Sequence, residues 1–215
     1  MSNVKLTPRG YEVDGIVYPR VSTILNVIAA PGLEAWRHKV GLEESRRIGR
    51  EATGLGTRVH GVCEEINRDA AGGPVALDIA PFIHAYSAWF EKNVAEVVAV
   101  EQFVWSVKHG YAGTLDLIAD LKDGRRALVD LKTSNSVGES YRLQTAAYQL
   151  AALEAHAIGC DVRLIVQMPS RRPGELYVTE FDDDAGDQRA WRAALALYKW
   201  QRRHVDMWKR QGVKQ

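Results

Sequence analysis

Residues 115, 117, 119 and 121 read Leu, Leu, Ala, Leu, and residues 127, 129 and 131 read Ala, Val, Leu, so two segments flanking an Asp123-Gly124 turn each alternate apolar with polar side chains. Period-two alternation marks a strand with one buried face, and so short a turn makes the two strands antiparallel neighbours. If both apolar rows face one core, partner numbers have an even sum, for instance Leu117 opposite Leu131, Ala119 opposite Val129 and Leu121 opposite Ala127. Asp116 then lies beside Lys132 and Ile118 beside Asp130, which gathers Asp116, Asp130 and Lys132 on the face away from the core. A slip of one residue would bury the acids among leucines. A plain two-residue loop would pair Lys122 with Arg125 and give an odd sum, so the turn is expected to be a three-residue loop or to carry a bulge.

Two acids converging on one point repel each other unless a divalent cation neutralises them, and a nearby lysine can then steady a water or a phosphate oxygen. That combination suits phosphodiester cleavage. The same residues are also compatible with an ordinary amphipathic hairpin whose solvated face carries scattered charges.

A chain of 215 residues with 46% hydrophobic content can bury one sizeable core, and no linker, repeat or low-complexity tract divides it. A single domain over 1–215 is expected, with an N-terminal hairpin and helices in 1–94 and a core of sheet and helices in 95–215. No apolar stretch is long enough to cross a bilayer and no basic-then-apolar start is present, so a soluble, intracellular chain is expected. Two cysteines, Cys63 and Cys160, support neither a disulfide framework nor an iron–sulfur cluster nor a four-cysteine zinc site, and read as buried or half-buried free thiols. The net charge of +1 does not by itself mark a nucleic-acid binder. Basic groups at Arg46, Arg47 and Arg50, at Arg171-Arg172, and at Arg202-Arg203 with Lys209-Arg210 are candidates for phosphate contact or simply solvated faces.

Along the chain, residues 10–18 suggest a hairpin around Asp14-Gly15, and Ser22 or Thr23 a cap for a short helix before Pro31-Gly32. A helical region to about residue 70 is expected to break near Gly54 and Gly56. Phe82, Tyr86, Trp89 and Phe90 mark a core-facing helix over 78–94. Strands follow at 96–107, 111–121 and 126–133, then a helix from Ser140 to Ala157, strands at 162–168 and 175–181, and a final helix with Trp191, Leu195 and Tyr198 as its core stripe and a tail that frays beyond Trp208. This order predicts an α/β fold, a central mixed sheet flanked by helices behind a helical N-terminal region.

Four elements in order, Gly56-Thr57-Arg58-Val59-His60, Gly110-Tyr111-Ala112-Gly113-Thr114-Leu115-Asp116, Asp130-Leu131-Lys132-Thr133, and Gln144 with Tyr148, resemble the PD-(D/E)XK nuclease superfamily and specifically its RecB-type branch, which includes phage exonucleases. Thr114-Leu115-Asp116 lacks the proline of the family name and Asp130 replaces the glutamate of many members; both departures are common in that branch. The resemblance implies a restriction-endonuclease-like core. It implies that Asp116, Asp130, the Leu131 carbonyl and His60 hold magnesium or manganese, that Lys132 orients or activates the attacking water, and that Gln144 and Tyr148, one helical turn apart, reach the scissile phosphate. Glu101 is a further candidate acid, and Glu64 either orients His60 or is an exposed helix residue. Arg46, Arg50, Arg58, Thr133, Ser134, Arg171 and Arg172 are candidate DNA contacts. The implied activity is a metal-dependent deoxyribonuclease, foremost an exonuclease of phage-type recombination, replication or repair. It would act in the cytoplasm of a bacterial or phage-infected cell, with DNA as substrate, a recombination or replication protein as a potential partner and no membrane. A structure-specific endonuclease and a non-cutting DNA-binding or assembly protein are the alternatives.

Overall fold

The computed structural model describes residues 4–28, 30–70, 73–182 and 184–210, the side chains of 204–210 excepted. A three-stranded antiparallel meander, β1 (Val4–Thr7), β2 (Gly10–Val13) and β3 (Ile16–Tyr18), opens the chain. Its β2–β3 turn has Asp14 at φ 49° and Gly15 at φ 83°. Both central residues sit at positive φ, the requirement of the turn whose twist matches a hairpin, and Asp-Gly meets it at low steric cost. The β1 strand was not foreseen, because Val-Lys-Leu-Thr is too short and too exposed to announce itself by alternation.

Three helices follow, α1 (Val21–Leu25), α2 (Pro31–Val40) and α3 (Leu42–Asn67). Arg20, not Ser22 or Thr23, occupies the cap position of α1. The expected break at Gly54 and Gly56 is absent, and α3 runs through both glycines. Gly56 serves packing instead: a Cβ there would lie 3.2 Å from Thr133 Oγ1, so the missing side chain lets the helix cross the end of a strand. The chain turns earlier, at Gly41, whose φ of 86° ends α2.

After α4 (Ala80–Asn93) come β4 (Val94–Ser106), β5 (Tyr111–Leu121), β6 (Arg126–Lys132), the crossover helix α5 (Glu139–His156), β7 (Val162–Gln167), β8 (Tyr177–Phe181) and α6 (Asp184–Arg210). The five strands form one sheet in sequence order, antiparallel except for the parallel β6–β7 pair, which needs the α5 crossover. The mixed, helix-flanked sheet matches the α/β expectation. The helix α6 extends to Arg210, and the tail expected to fray lies, past that residue, outside the described residues.

The β5–β6 turn is the expected three-residue loop: Leu121 N–H donates to the Arg125 carbonyl at 2.8 Å, Gly124 N–H to the Leu121 carbonyl at 3.0 Å, and Gly124 has φ 91°. Partner sums are even, as the alternation requires, but the pairs differ by two residues from the expected ones, with Leu117 opposite Val129, Ile118 opposite Leu128 and Ala119 opposite Ala127. The loop has the expected length but spans residues 122–124 instead of 123–125, and moving it one residue earlier lowers every partner sum by two. A shift by an even number preserves the parity of the ladder, which is regular as far as Leu117 opposite Val129, the pair next to Asp116 and Asp130.

The expected non-core face is corrected as well, because both faces of the sheet are covered. Leu117, Ala119, Leu121, Ala127, Val129 and Leu131 pack with Val59 and Cys63 of α3 and Phe82, Ile83 and Tyr86 of α4. Leu115, Ile118 and Leu128 pack with Ala147, Tyr148 and Ala151 of α5 and Trp191 and Leu195 of α6. Leu115 and Leu117 thus join opposite cores, and the alternation reverses at Asp116. No helix among the described residues is long and apolar enough to cross a membrane, and both cysteines are free, Cys63 buried and Cys160 half-buried.

Candidate active site

The reversal at Asp116 has a partner across the ladder. Val100 pairs with Leu117 and Gln102 with Leu115, so Glu101 stands opposite Asp116, and Glu101 has φ 45°. A left-handed residue inside a strand is costly for glutamate, and such kinks re-aim a side chain. Here the kink turns Glu101 and Asp116 toward α3. One ligand atom from each of His60, Glu101 and Asp116 lies within 4.8 Å of the other two. Asp116 Oδ2 is 3.8 Å from His60 Nδ1 and accepts a 2.7 Å hydrogen bond from the Leu131 backbone N–H. Glu101, one candidate acid among several in the sequence, is therefore a central member of the cluster. Burial pushes its carboxyl up to about 7, with Asp116 and Glu64 adding to the rise and Arg68 opposing it.

Asp130 is 1% exposed, and apart from the Lys132 ammonium its carboxylate has no polar partner among the described residues. Its ion-pair partner is Lys132, with Nζ 2.5 Å from Oδ2. Burial raises the Asp130 pKa against the opposing charge of Lys132, and Asp116 raises it further. Burial alone would favour neutral Lys132, but Asp130 and Asp116 outweigh it and hold the ammonium charged. The ammonium also sits 4.9 Å from the centre of the Tyr141 ring, a contact that sequence spacing gave no means to see.

Gln144 and Tyr148 share one face of α5, and Gln144 Nε2 donates to the Tyr148 hydroxyl at 3.2 Å. Tyr148 is buried, its hydroxyl pKa raised by burial first and Asp130 next. The edge of the ring abuts Gly113, where a Cβ would be 2.5 Å from Tyr148 Cε1. The neighbouring Thr114 shares a 3.0 Å hydrogen bond with the Tyr11 hydroxyl, which ties the N-terminal meander to the motif strand.

Glu64 does not serve the imidazole. It pairs with Arg68 at 2.9 Å, and Arg68 Nη2 donates to the Val100 carbonyl at 3.3 Å, just before the kinked Glu101. Arg68 was missed, although its position four residues after Glu64 is the spacing of a helical ion pair. Of the candidate DNA contacts, Arg58 is engaged with Asp78 through two hydrogen bonds at 3.1 and 2.6 Å, and Arg172 with Tyr177 and Glu175. Ser134 Oγ is turned to the Ser136 carbonyl. Thr133 abuts Gly56, and Arg171 is fixed through its backbone N–H to Asn135 Oδ1 at 2.9 Å. Arg46 and Arg50 are exposed.

An imidazole and two half-buried carboxylates, with a third carboxylate buried beside them and short of hydrogen bonds, are a donor set that fits a hard or borderline divalent cation. Unrelieved, the three acids would repel one another.

Among curated proteins none matches the chain at a significant level. Solved structures with similar folds include the protein SSO0001 (14% identity, 83% of this chain and 75% of that one, TM-score 0.40). A protein assigned as an exonuclease from Eubacterium rectale gives 11% identity, 76% and 69% coverage and TM-score 0.46. An alkaline exonuclease from Laribacter hongkongensis gives 14% identity, 88% and 94% coverage and TM-score 0.38. The family model of the PD-(D/E)XK nuclease superfamily matches residues 75–209, a segment that starts after His60 and contains Glu101, Asp116, Asp130, Lys132, Gln144 and Tyr148. That segment is more than half of the chain, and the chain belongs to the PD-(D/E)XK nuclease superfamily.

Proposed function

We propose that the chain is a magnesium- or manganese-dependent deoxyribonuclease of the RecB-type branch, acting as an exonuclease on DNA ends in recombination, replication or repair. The observation that carries this reading is the meeting of His60, Glu101 and Asp116 within 4.8 Å beside the buried Asp130–Lys132 pair. Asp116, Asp130, Glu101, His60 and the Leu131 carbonyl would hold the cation. When bound, it would supply Lewis-acid stabilisation of the phosphate and a lower pKa for a coordinated water.

Hydrolysis joins a water oxygen to phosphorus and releases the sugar oxygen as an alcohol. Lys132, held charged by its two acids, orients the water or a phosphate oxygen as a hydrogen-bond donor. The Gln144 amide and Tyr148 hydroxyl present one polar edge to the same phosphate, and Tyr148 stays protonated because of its burial. Covered on both sides by helices, the sheet end keeps these groups in fixed positions. Thr133 and Ser134, just after Lys132, and Arg171 and Arg172, in the loop that Ser170 ties to the Thr133 carbonyl, are candidates to meet the flanking backbone.

End-labelled linear single- and double-stranded DNA, with a covalently closed circle in parallel, tests the reading. Mononucleotide or short products from linear DNA with either metal, an intact circle, and no products with chelator or with Asp116→Ala are expected. Undiminished cleavage by Asp116→Ala would falsify the site assignment, and cleavage of the circle would favour the endonuclease reading.

A further inference from the structure

The α3 helix does more than deliver His60. Its first three turns have little to do with the core: between Leu42 and Gly54 only Ser45 is buried, while Val59 and Cys63 farther along are fully enclosed. Arg46, Arg50, Thr53, Thr57 and His60 follow one another at steps of four, three, four and three residues, which places them on one helical face. That face carries His60 toward Asp116, and Gly56, between Thr53 and His60 on its edge, sits against Thr133 at the end of β6. The face therefore runs outward from the candidate active site along an exposed ridge.

The arginines of this helix separate into two classes. Arg47 is bound by Glu44 and Glu51, each at 2.6 Å, Arg58 by Asp78 at 2.6 Å and Arg68 by Glu64 at 2.9 Å. Arg46 and Arg50 have no ion pair among the described residues, and they are the two that share the face of His60. Gly49 lies on the same face with nothing within 4 Å of the position its Cβ would take, so no intramolecular packing accounts for it. A helix-interior glycine is unfavourable by about 1 kcal/mol against alanine.

We propose that this ridge is a phosphate-binding track, in which Arg46 and Arg50 hold the backbone of the substrate DNA on one side of the cleaved bond. The inference rests on the nuclease reading and adds to it the direction in which the substrate leaves the site. At about 1.5 Å per residue, Arg50 lies about 15 Å and Arg46 about 21 Å along the axis from His60. At about 3.4 Å per nucleotide of a duplex strand, they meet phosphates about four to six nucleotides from the scissile one.

The test is the salt dependence of DNA binding, followed by fluorescence anisotropy with a labelled duplex in chelator buffer, so that it reads binding apart from cleavage. Two phosphate contacts contribute about 1.8 to the slope of log affinity against log salt. Between about 50 and 200 mM salt, wild type should therefore lose about tenfold more affinity than Arg46→Gln/Arg50→Gln. Arg46→Lys/Arg50→Lys should keep the wild-type slope, and Arg47→Gln should leave it unchanged because Glu44 and Glu51 already occupy that arginine. Circular dichroism should report an unaltered fold, since neither side chain touches the core. A double variant with the wild-type slope, in a protein that cuts DNA, overturns the track and leaves the nuclease reading standing. An Arg47→Gln effect as large as the double variant's overturns the assignment to the His60 face. A protein that binds DNA with the predicted slopes but never cuts it overturns the nuclease reading and supports the track.

Discussion

Gly113→Ala isolates one contact on which the active-site geometry depends. The added Cβ would sit 2.5 Å from Tyr148 Cε1, 3.3 Å from Cζ and 3.4 Å from Cδ1, and ordinary contact begins at 3.4 Å, so the ring must withdraw by about 0.9 Å. It has nowhere easy to go, because Tyr148 is 6% exposed and packs with Leu115, Ile118 and Leu128. Gly113 has no positive φ, so the backbone itself accepts alanine and the whole effect is steric. Overpacking of this kind costs about 1–3 kcal/mol, less about 0.5–1 kcal/mol that alanine gains over glycine in a strand. A net loss of about 0–2.5 kcal/mol is expected by urea unfolding. The displaced hydroxyl also leaves the 3.2 Å bond from Gln144, and a misplacement near 1 Å in an active site lowers turnover by about 100-fold. In a Tyr148→Leu background the clashing ring atoms are gone, and Gly113→Ala should become neutral or mildly stabilising. The double-mutant cycle should then return a coupling of at least about 1 kcal/mol. Equal effects in the two backgrounds would refute the steric account.

Three further outcomes follow from the same geometry. Lys132→Ala should eliminate turnover and, in chelator buffer at neutral pH, cost about 3 kcal/mol in urea unfolding, because it strands the buried Asp130 carboxylate; a neutral stability effect would contradict the ion pair. Arg163, fully buried, holds Asp187 at 2.6 Å, and although burial raises the Asp187 pKa, the bonds from Arg163 and Arg142 outweigh it and the net shift is downward. A carboxyl with a lowered folded pKa contributes stability that is complete above its ordinary value of 3.8 and disappears as pH falls through the folded value. Asp187→Asn should accordingly cost about 1–3 kcal/mol at neutral pH and progressively less under acid, which unfolding curves along a pH series would check. Finally, Gly54→Ala should stabilise by about 1 kcal/mol in thermal unfolding, since nothing lies within 4 Å of its Cβ position, whereas Gly56→Ala should gain less or reverse sign against Thr133 Oγ1 at 3.2 Å.

Local pattern carried a large share of the fold. Alternation over 115–121 and 127–131 predicts strands whose partner sums are even, and even sums occur. Asp-Gly at 14–15 predicts a tight hairpin, and both residues take positive φ. Each of these is decided within a few residues, by side-chain direction or by a turn's demand for an unusual backbone angle. The reading failed where the deciding partner lies far along the chain. Gly56 looks like a helix breaker until Thr133 is seen beside it. Glu64 looks able to serve His60 until Arg68 takes it.

The sequence by itself determined that Asp116, Asp130 and Lys132 stand on neighbouring strands, because two alternating segments joined by a short turn pair with each other whatever the exact register. The family resemblance carried by four short motifs adds His60, Gln144 and Tyr148 as proposed companions. Only the tertiary structure decided the register, with Leu117 opposite Val129 instead of Leu131, because the three-residue loop starts at Lys122 instead of Asp123. It alone turned Asp116 and Glu101 together toward His60, through a left-handed residue in a strand that no local pattern announces. And it alone separated Arg46 and Arg50 from the arginines already neutralised, since whether a surface charge is free depends on acids brought near by folding.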